Sequence, residues 1–124
     1  MAASSFAESP TTDLLLVDVR TSGPAVRVIA TGEIDPSSAR VLESCLTGVL
    51  ADRPGEIVVD LSAVTFLDSA GLSVLAGAYR RGRQHGTRLR LLVTSSAVAR
   101  PLQITGLWRL LGAELVAEGD RGVA

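Results

Sequence analysis

Apolar residues along the chain follow two patterns, short continuous runs and positions at helical spacing. Five short runs predict strands, at residues 14–20, 25–31, 56–61, 88–93 and 113–117. Turn-forming residues 21–24 separate the first two runs, so these runs predict a β-hairpin. The apolar centre of the third run is typical of an interior parallel strand.

Helical spacing predicts a helix after the second run. Asp35 is expected to cap this helix with Pro36 at its first position, a favoured start. Residues 53–55, Arg-Pro-Gly, are expected to end it. Its buried face is expected to hold Val41, Leu42, Cys45, Leu46, Val49 and Leu50.

Two further helices and a short helical turn are expected. The second helix is predicted over Gly71 to about Arg81, with Gly77 permitting close packing. Its buried face is expected to hold Leu72, Leu75, Ala76 and Tyr79. The third is predicted over residues 94–105, where Pro101 implies a short or distorted first turn. Residues 107–111 complete the series as a helical turn.

This order, ββαβαβαβ, predicts an α/β domain. Each β-α-β step implies a right-handed crossover onto a shared sheet, and the hairpin adds an antiparallel pair, so the sheet is expected to be mixed. The domain is predicted over residues 13–117. Residues 1–12 and 118–124 are expected to be flexible tails.

Composition narrows the function classes. The chain has 124 residues, 47% of them apolar and 20% charged, which fits one domain with a packed core. Its net charge of −1 argues against nucleic acid as a partner. All 12 basic residues are Arg, so lysine chemistry is excluded. Membrane-length apolar segments and a signal peptide are both absent from the sequence, so we expect a cytoplasmic protein.

Ser69 stands at the junction between a strand and a helix. The β-branched run gives way to a predicted short loop that ends in Asp68-Ser69, and a helical pattern starts at once. A helix N-terminus carries unpaired N–H groups and a positive partial charge, so it tolerates a phosphate well. Ser69 is therefore a candidate for reversible phosphorylation. Asp35, Asp68 and Ser69 are equally well explained as helix caps, and the two roles are compatible.

Catalytic and metal-binding alternatives have weaker support. The nucleophile elbow Gly-x-Ser-x-Gly lacks its first glycine, since Leu67 stands there. One His and one Cys cannot form a zinc site, and glycine-rich nucleotide motifs are missing. We therefore expect no enzyme activity, no metal and no cofactor. His85 is expected in an exposed turn and Cys45 as inert core, while Trp108 fits either core or partner contact.

Three segments resemble the STAS family, the sulphate transporter and anti-sigma factor antagonist domains. They are Gly32-Glu33-Ile34-Asp35, then Asp60-Leu61-Ser62 with Val64 to Leu72, and Val98-Ala99-Arg100 leading to Thr105-Gly106-Leu107. The resemblance covers about residues 13–117. It implies the STAS fold, a mixed β-sheet of about four to five strands with helices packed mainly on one side.

The small stand-alone members of this family are bacterial anti-sigma factor antagonists, so the resemblance implies partner switching. Such an antagonist binds an anti-sigma factor that is also a serine kinase, and so releases a sigma factor. The resemblance makes Ser69 the phosphoacceptor, and phosphorylation there switches the antagonist off. It also implies a metal-dependent serine phosphatase that resets the switch, and a role in transcription regulation such as a stress response.

The partner-binding residues implied by the resemblance are Asp35, Asp68, Ser69, Ala70 and Gly71. Ala70 departs from the family pattern, which often has Ser or Thr there, so Ser69 is the one hydroxyl available at this pair of positions. We expect phosphate to block docking sterically and by repulsion, with little change in the fold. A monomer is expected. The alternative is a constitutive STAS scaffold or accessory subunit in a signalling or transport assembly.

Overall fold

The computed structural model describes residues 14–116, which form a five-stranded sheet with four helices. In chain order the elements are β1 (Leu15–Ser22), β2 (Ala25–Ile34), α1 (Ala39–Ala51), β3 (Glu56–Leu67), α2 (Ser69–His85), β4 (Arg88–Val93), α3 (Ser96–Ile104), α4 (Leu107–Leu110) and β5 (Ala113–Leu115). The strands lie side by side in chain order; β1 is antiparallel to β2, and all later pairs are parallel. The predicted element order and mixed α/β sheet are confirmed. The predicted tails, 1–12 and 118–124, and the two end residues of the predicted domain, 13 and 117, lie outside the described residues.

The helices cover mainly one face of the sheet. Every crossover from β2 to β5 steps in the same direction, and right-handed crossovers then place their helices on the same side. Three side chains in register across the middle strands, Val28, Val59 and Leu91, are fully buried on this side. The other side of the sheet is here called the open face. On this face three residues are also in register and are half-buried: Arg27, Val58 and Arg90.

The buried stripe of α1 is narrower than the sequence predicts. In α1 the fully buried side chains are Ala39, Leu42, Leu46 and Leu50, a row at intervals of about one turn. Val41, Cys45 and Val49 were expected in this stripe and are half-buried at its margin. Burial nevertheless raises the pKa of the Cys45 thiol to about 11, which fits an inert thiol.

In α2 the predicted face is rotated relative to the observed one. The buried residues are Gly71, Val74, Leu75, Ala78 and Gly82, while Leu72, Ala76 and Tyr79 are half-buried.

The expectation that Gly77 permits close packing is wrong. A Cβ built on Gly77 would have only the Arg80 Nη2 atom nearby, at 3.9 Å. Gly82 does permit close packing, because a Cβ there would lie 2.9 Å from the carbonyl oxygen of Thr87. Gly82 therefore lets α2 pack closely against the loop that enters β4.

Several boundaries also differ from the prediction. The segment at residues 62–67, predicted as a loop, continues β3, because its backbone pairs with the end of β2. α2 runs on to His85, so this histidine is half-buried at a helix end rather than in an exposed turn. α3 begins at Ser96 and continues through Pro101 as a nine-residue helix. None of the helices in the described part of the chain is long and apolar enough to cross a membrane.

Candidate phosphorylation and partner-binding site

The residues singled out from the sequence meet at one edge of the sheet, where β2 and β3 end. Ile34 and Leu67 are paired neighbours at the last position of each strand. The backbone N–H of Asp68 donates to the carbonyl oxygen of Ile34 at 3.2 Å. Asp35 and Asp68 each follow one of these paired residues, so the two carboxylates leave adjacent strands at the same edge.

Asp68 starts helix α2. Its backbone is extended, with φ −111° and ψ −168°, and its Oδ1 accepts a hydrogen bond from the Ala70 N–H at 2.9 Å. A longer contact of 3.4 Å joins Oδ1 to the Gly71 nitrogen, and the Asp68 carbonyl accepts the Leu72 N–H at 3.1 Å. This is N-cap geometry, in which a carboxylate satisfies N–H groups that the helix itself leaves unpaired.

Ser69 is the first residue of α2 and is exposed. Across residues 14–116, no group forms a hydrogen bond with its hydroxyl, because Asp68 and not Ser69 caps the helix. The hydroxyl stands at the positive end of a 17-residue helix dipole. It is therefore accessible to a phosphoryl donor, and the helix end can receive the added negative charge.

Gly71 and Ala70 differ from Ser69 in exposure. Ala70 is half-buried, and Gly71 is buried against the ends of both strands. A Cβ on Gly71 would lie 2.3 Å from Leu67 Cδ1 and 2.7 Å from Ile34 Cγ2. Gly71 therefore lets the first turn of α2 sit directly on the sheet, which fixes the position of Ser69.

Asp35 does not cap α1 as predicted. The helix begins at Ala39, and Asp35 instead organises the turn before it. Its Oδ1 accepts the N–H groups of Ser37 and Ser38, both at 2.9 Å, and the Ser37 hydroxyl at 2.8 Å. The hydrogen bonds from the Ser38 backbone and the Ser37 side chain lower the pKa of the Asp35 carboxyl. Asp35 is thus a fixed negative charge at the same sheet edge as Asp68.

Ser38 was not singled out from the sequence, yet it holds the Asp35 turn in place. It is fully buried, and its Oγ donates to the Glu33 carbonyl oxygen at 2.7 Å and accepts the Asp35 N–H at 2.9 Å. A buried polar side chain that joins the end of a strand to the start of a turn restricts both. The sequence signal was the Asp-Pro-Ser-Ser run, in which several residues favour turns.

Phe66 was also missed as a separate surface feature. It lies two residues before Asp68, is 47% exposed, and is paired in the sheet with the exposed Glu33. The pairing of β2 and β3 shifts between Gly32 and Glu33, and Thr65 and Phe66 are both exposed there. An alternating strand would expose one of two successive residues, so the sequence pattern did not reveal this aromatic surface.

A second polar cluster lies deeper on the open face. Arg27 Nη2 donates to Asp60 Oδ2 at 2.7 Å, and Ser62 donates through its N–H and hydroxyl to Asp60 Oδ1. Burial alone would raise the pKa of Asp60, but the hydrogen bonds from Ser62 and Arg27 outweigh it and the pKa is lowered. The polar side chains of the Asp60-Leu61-Ser62 segment therefore form hydrogen bonds within the domain. Between residues 14 and 116, no three His, Cys, Asp or Glu side chains are grouped so that they could hold a metal ion.

Comparison with known proteins identifies the fold and the family. A model of the STAS domain matches residues 17–117. This chain belongs to the STAS family. The matched region begins inside β1, contains the whole site described above, and extends past the end of β5.

STAS proteins similar to this chain include named anti-sigma factor antagonists. The anti-sigma-F factor antagonist RsfB of Mycobacterium tuberculosis is 40% identical over 86 residues, which is 69% of this chain and 69% of that protein. The anti-sigma-B factor antagonist of Bacillus subtilis is 33% identical over 103 residues, or 83% of this chain and 94% of that protein.

A solved structure has the same fold. It is the crystal structure of an anti-sigma factor antagonist from Mycobacterium paratuberculosis, with a TM-score of 0.77 and 33% identity. The superposition covers 89% of this chain and 92% of that one.

Proposed function

We propose that this protein is an anti-sigma factor antagonist that binds an anti-sigma factor with serine kinase activity and is switched off by phosphorylation of Ser69. The observation that carries the proposal is the free, exposed hydroxyl of Ser69 at the N-terminus of α2. Its relatives carry the name of anti-sigma factor antagonists, which supports the regulatory role.

The surroundings of Ser69 suit a phosphoryl acceptor that does not catalyse its own modification. Asp68 caps α2 and Asp35 holds its own turn, and within residues 14–116 neither carboxylate forms a hydrogen bond with the Ser69 hydroxyl. The kinase would supply the catalytic base. The Ser69 Oγ would lose its proton and form a bond to the γ-phosphorus of ATP, and ADP would leave.

The phosphate would act on the partner rather than on the fold. It adds about −1.5 to −2 charge and three acceptor oxygens at a helix end that tolerates them. The cap at Asp68 and the tight packing of Gly71 hold the backbone around Ser69 in place. A surface that fitted a neutral hydroxyl would meet a bulky dianion next to Asp68, at the end of the paired strands that also carries Asp35. Repulsion and steric conflict would then weaken docking, and a metal-dependent serine phosphatase would restore it.

A phosphotransfer assay tests this proposal. The protein is incubated with ATP and the anti-sigma factor kinases of its cell, and the product is mapped by mass spectrometry. We expect phosphate on the wild type and on Ser73→Ala, an exposed serine one turn along α2, and none on Ser69→Ala. Tight kinase binding without phosphate transfer to any variant would instead favour the constitutive scaffold.

A further inference from the structure

Strand β1 forms one edge of the sheet, and within residues 14–116 no strand lies beyond it. It is eight residues long and pairs with β2 along its full length. An edge strand of this length offers a row of N–H and C=O groups to another strand, and proteins usually protect such an edge.

The direction of the outward backbone groups follows from the β1–β2 hydrogen bonds. The Leu14 carbonyl accepts the Glu33 N–H at 2.9 Å, so the backbone of Leu14 is directed at β2. Residues of an antiparallel strand alternate between the two sides, so the even-numbered residues of β1 bond β2. Val17, Val19 and Thr21 therefore direct their N–H and C=O groups to the outer edge.

The side chains around Val19 are complementary to themselves. Val19 is 43% exposed, an apolar residue at the centre of the edge. Asp18 and Arg20 flank it on the other face of the strand, with side chains 33% and 72% exposed. If two β1 strands pair antiparallel about a two-fold axis through Val19, Asp18 of each copy lies opposite Arg20 of the other. Opposite charges at directly facing positions stabilise an antiparallel pair.

We propose that the protein forms a dimer through its β1 edges, with Val19 facing Val19 of the second copy. The backbone requirement and the charge requirement select the same register, because Val19, Val17 and Thr21 supply the hydrogen bonds while Asp18 and Arg20 supply the ion pairs. Arg20 already contacts Asp18 of its own chain, with Nε and Oδ2 3.1 Å apart, and would exchange this exposed pair for two pairs across the axis. The sequence alone predicts a monomer, because no unusually apolar exposed stripe stands out in it; the proposed dimer departs from that prediction.

This dimer would leave the Ser69 site of each copy accessible. Leu15 pairs with Gly32 at the end of the strands near the site, whereas Ser22 pairs with Ala25 at the other end of the strands. The two-fold axis would reverse the direction of the strands in the second copy. The two Ser69 sites would then lie at opposite strand ends of a continuous ten-stranded sheet. Dimerisation and phosphorylation are thus separable, and the dimer does not depend on the proposed function.

Sedimentation equilibrium of the full chain, from low micromolar to millimolar concentration, tests the dimer. We expect the wild type to dimerise, and Asp18→Arg or Arg20→Asp alone to raise the dissociation constant about tenfold or more, because each variant places two like-charged pairs across the axis. An equimolar mixture of these two variants restores opposite charges at both pairs, so we expect it to form a heterodimer. The double variant D18R/R20D should dimerise like the wild type.

Two outcomes would overturn the proposal. One is a wild-type monomer at every concentration. This result is expected if the β1 edge pairs with residues 1–13 of the same chain, or if it pairs with no other strand. The other is a dimer that the single charge variants leave unchanged, since another surface would then form it. Circular dichroism of each variant verifies that the chain is folded, and dimer formation by the mixture provides a gain of association that misfolding cannot imitate.

Discussion

The backbone N–H of Asp68 donates to the carbonyl oxygen of Ile34, at 3.2 Å. This bond joins the residue before Ser69 to the residue before Asp35, and it holds the ends of β2 and β3 together where α2 begins. Ser69 is thus presented by a rigid junction of two strands and a helix. An added phosphate would be displayed to a partner instead of being absorbed by loop movement.

Replacing Asp68 separates its capping role from its charge. Asp68→Ala removes the acceptor for the Ala70 N–H, and we expect a loss of about 1 kcal/mol in the free energy of unfolding. Asp68→Asn keeps a capping oxygen, so we expect its stability to stay within about 0.5 kcal/mol of the wild type. Urea unfolding monitored by circular dichroism measures both. Equal losses in the two variants would mean that the charge, rather than the cap, stabilises the start of α2.

Two glycines in α2 give opposite expectations for the same substitution. Gly71→Ala places a methyl group against Leu67 and Ile34, so we expect a loss of about 1–3 kcal/mol in the free energy of unfolding. Gly77→Ala places the methyl group inside a helix with only the Arg80 Nη2 atom at contact distance, and we expect a gain of up to about 1 kcal/mol. Thermal and urea unfolding measure the pair. Similar effects at both positions would contradict the tight contact at Gly71.

The Asp35 turn should be sensitive to acid. Its hydrogen bonds from Ser38 and Ser37 lower the carboxyl pKa in the folded protein below the usual value of an aspartate side chain. A lowered folded pKa means that the ionised group stabilises the fold above the unfolded pKa, and that this contribution is lost as the pH falls through the folded pKa. We expect Asp35→Asn to be less stable than the wild type at pH 7, and the difference to shrink as the pH falls below the pKa of an unfolded aspartate.

Measurement of the Asp35 carboxyl titration by NMR provides the direct check. A midpoint at or above the ordinary aspartate value would contradict the description of this turn.

Phe66 should contribute to partner binding if the partner docks over Ser69. It is an exposed aromatic side chain two residues before the cap of α2, and exposed aromatics at interfaces often supply much of the binding energy. We expect Phe66→Ala to weaken binding of the anti-sigma factor by about tenfold or more, measured by calorimetry, with little change in unfolding. Ile104→Ala is the control, because Ile104 is 78% exposed at the end of α3. Equal losses at both positions would argue against a localised docking surface.

The sequence predicted the order of the elements and the position of Ser69 because both depend on local signals. Apolar periodicity locates strands and helices, and Asp-Ser before a helical pattern locates the helix start. The sequence-based prediction failed where tertiary contacts determine the local structure. Residues 62–67 are a strand only because β2 lies beside them, and the choice of Gly71 over Gly77 as the packing glycine depends on how closely α2 approaches the sheet.

Asp35 is an intermediate case between local and tertiary signals. Its preference for capping was recognised from the sequence, but the group that it caps is a turn anchored by the buried Ser38, and α1 begins only at Ala39. Burial of Ser38 depends on the packing of the whole domain. A local pattern could not distinguish this turn from the first turn of the helix.

The most direct test of the phosphorylation switch is the affinity of the anti-sigma factor kinase for the protein before and after stoichiometric phosphorylation of Ser69. We expect phosphorylation to weaken binding by about a hundredfold, because like charges brought together at an interface cost several kcal/mol. The circular dichroism spectrum should be unchanged, and Ser69→Asp should weaken binding in the same direction. Equal affinity of the phosphorylated and unmodified proteins would contradict the switch.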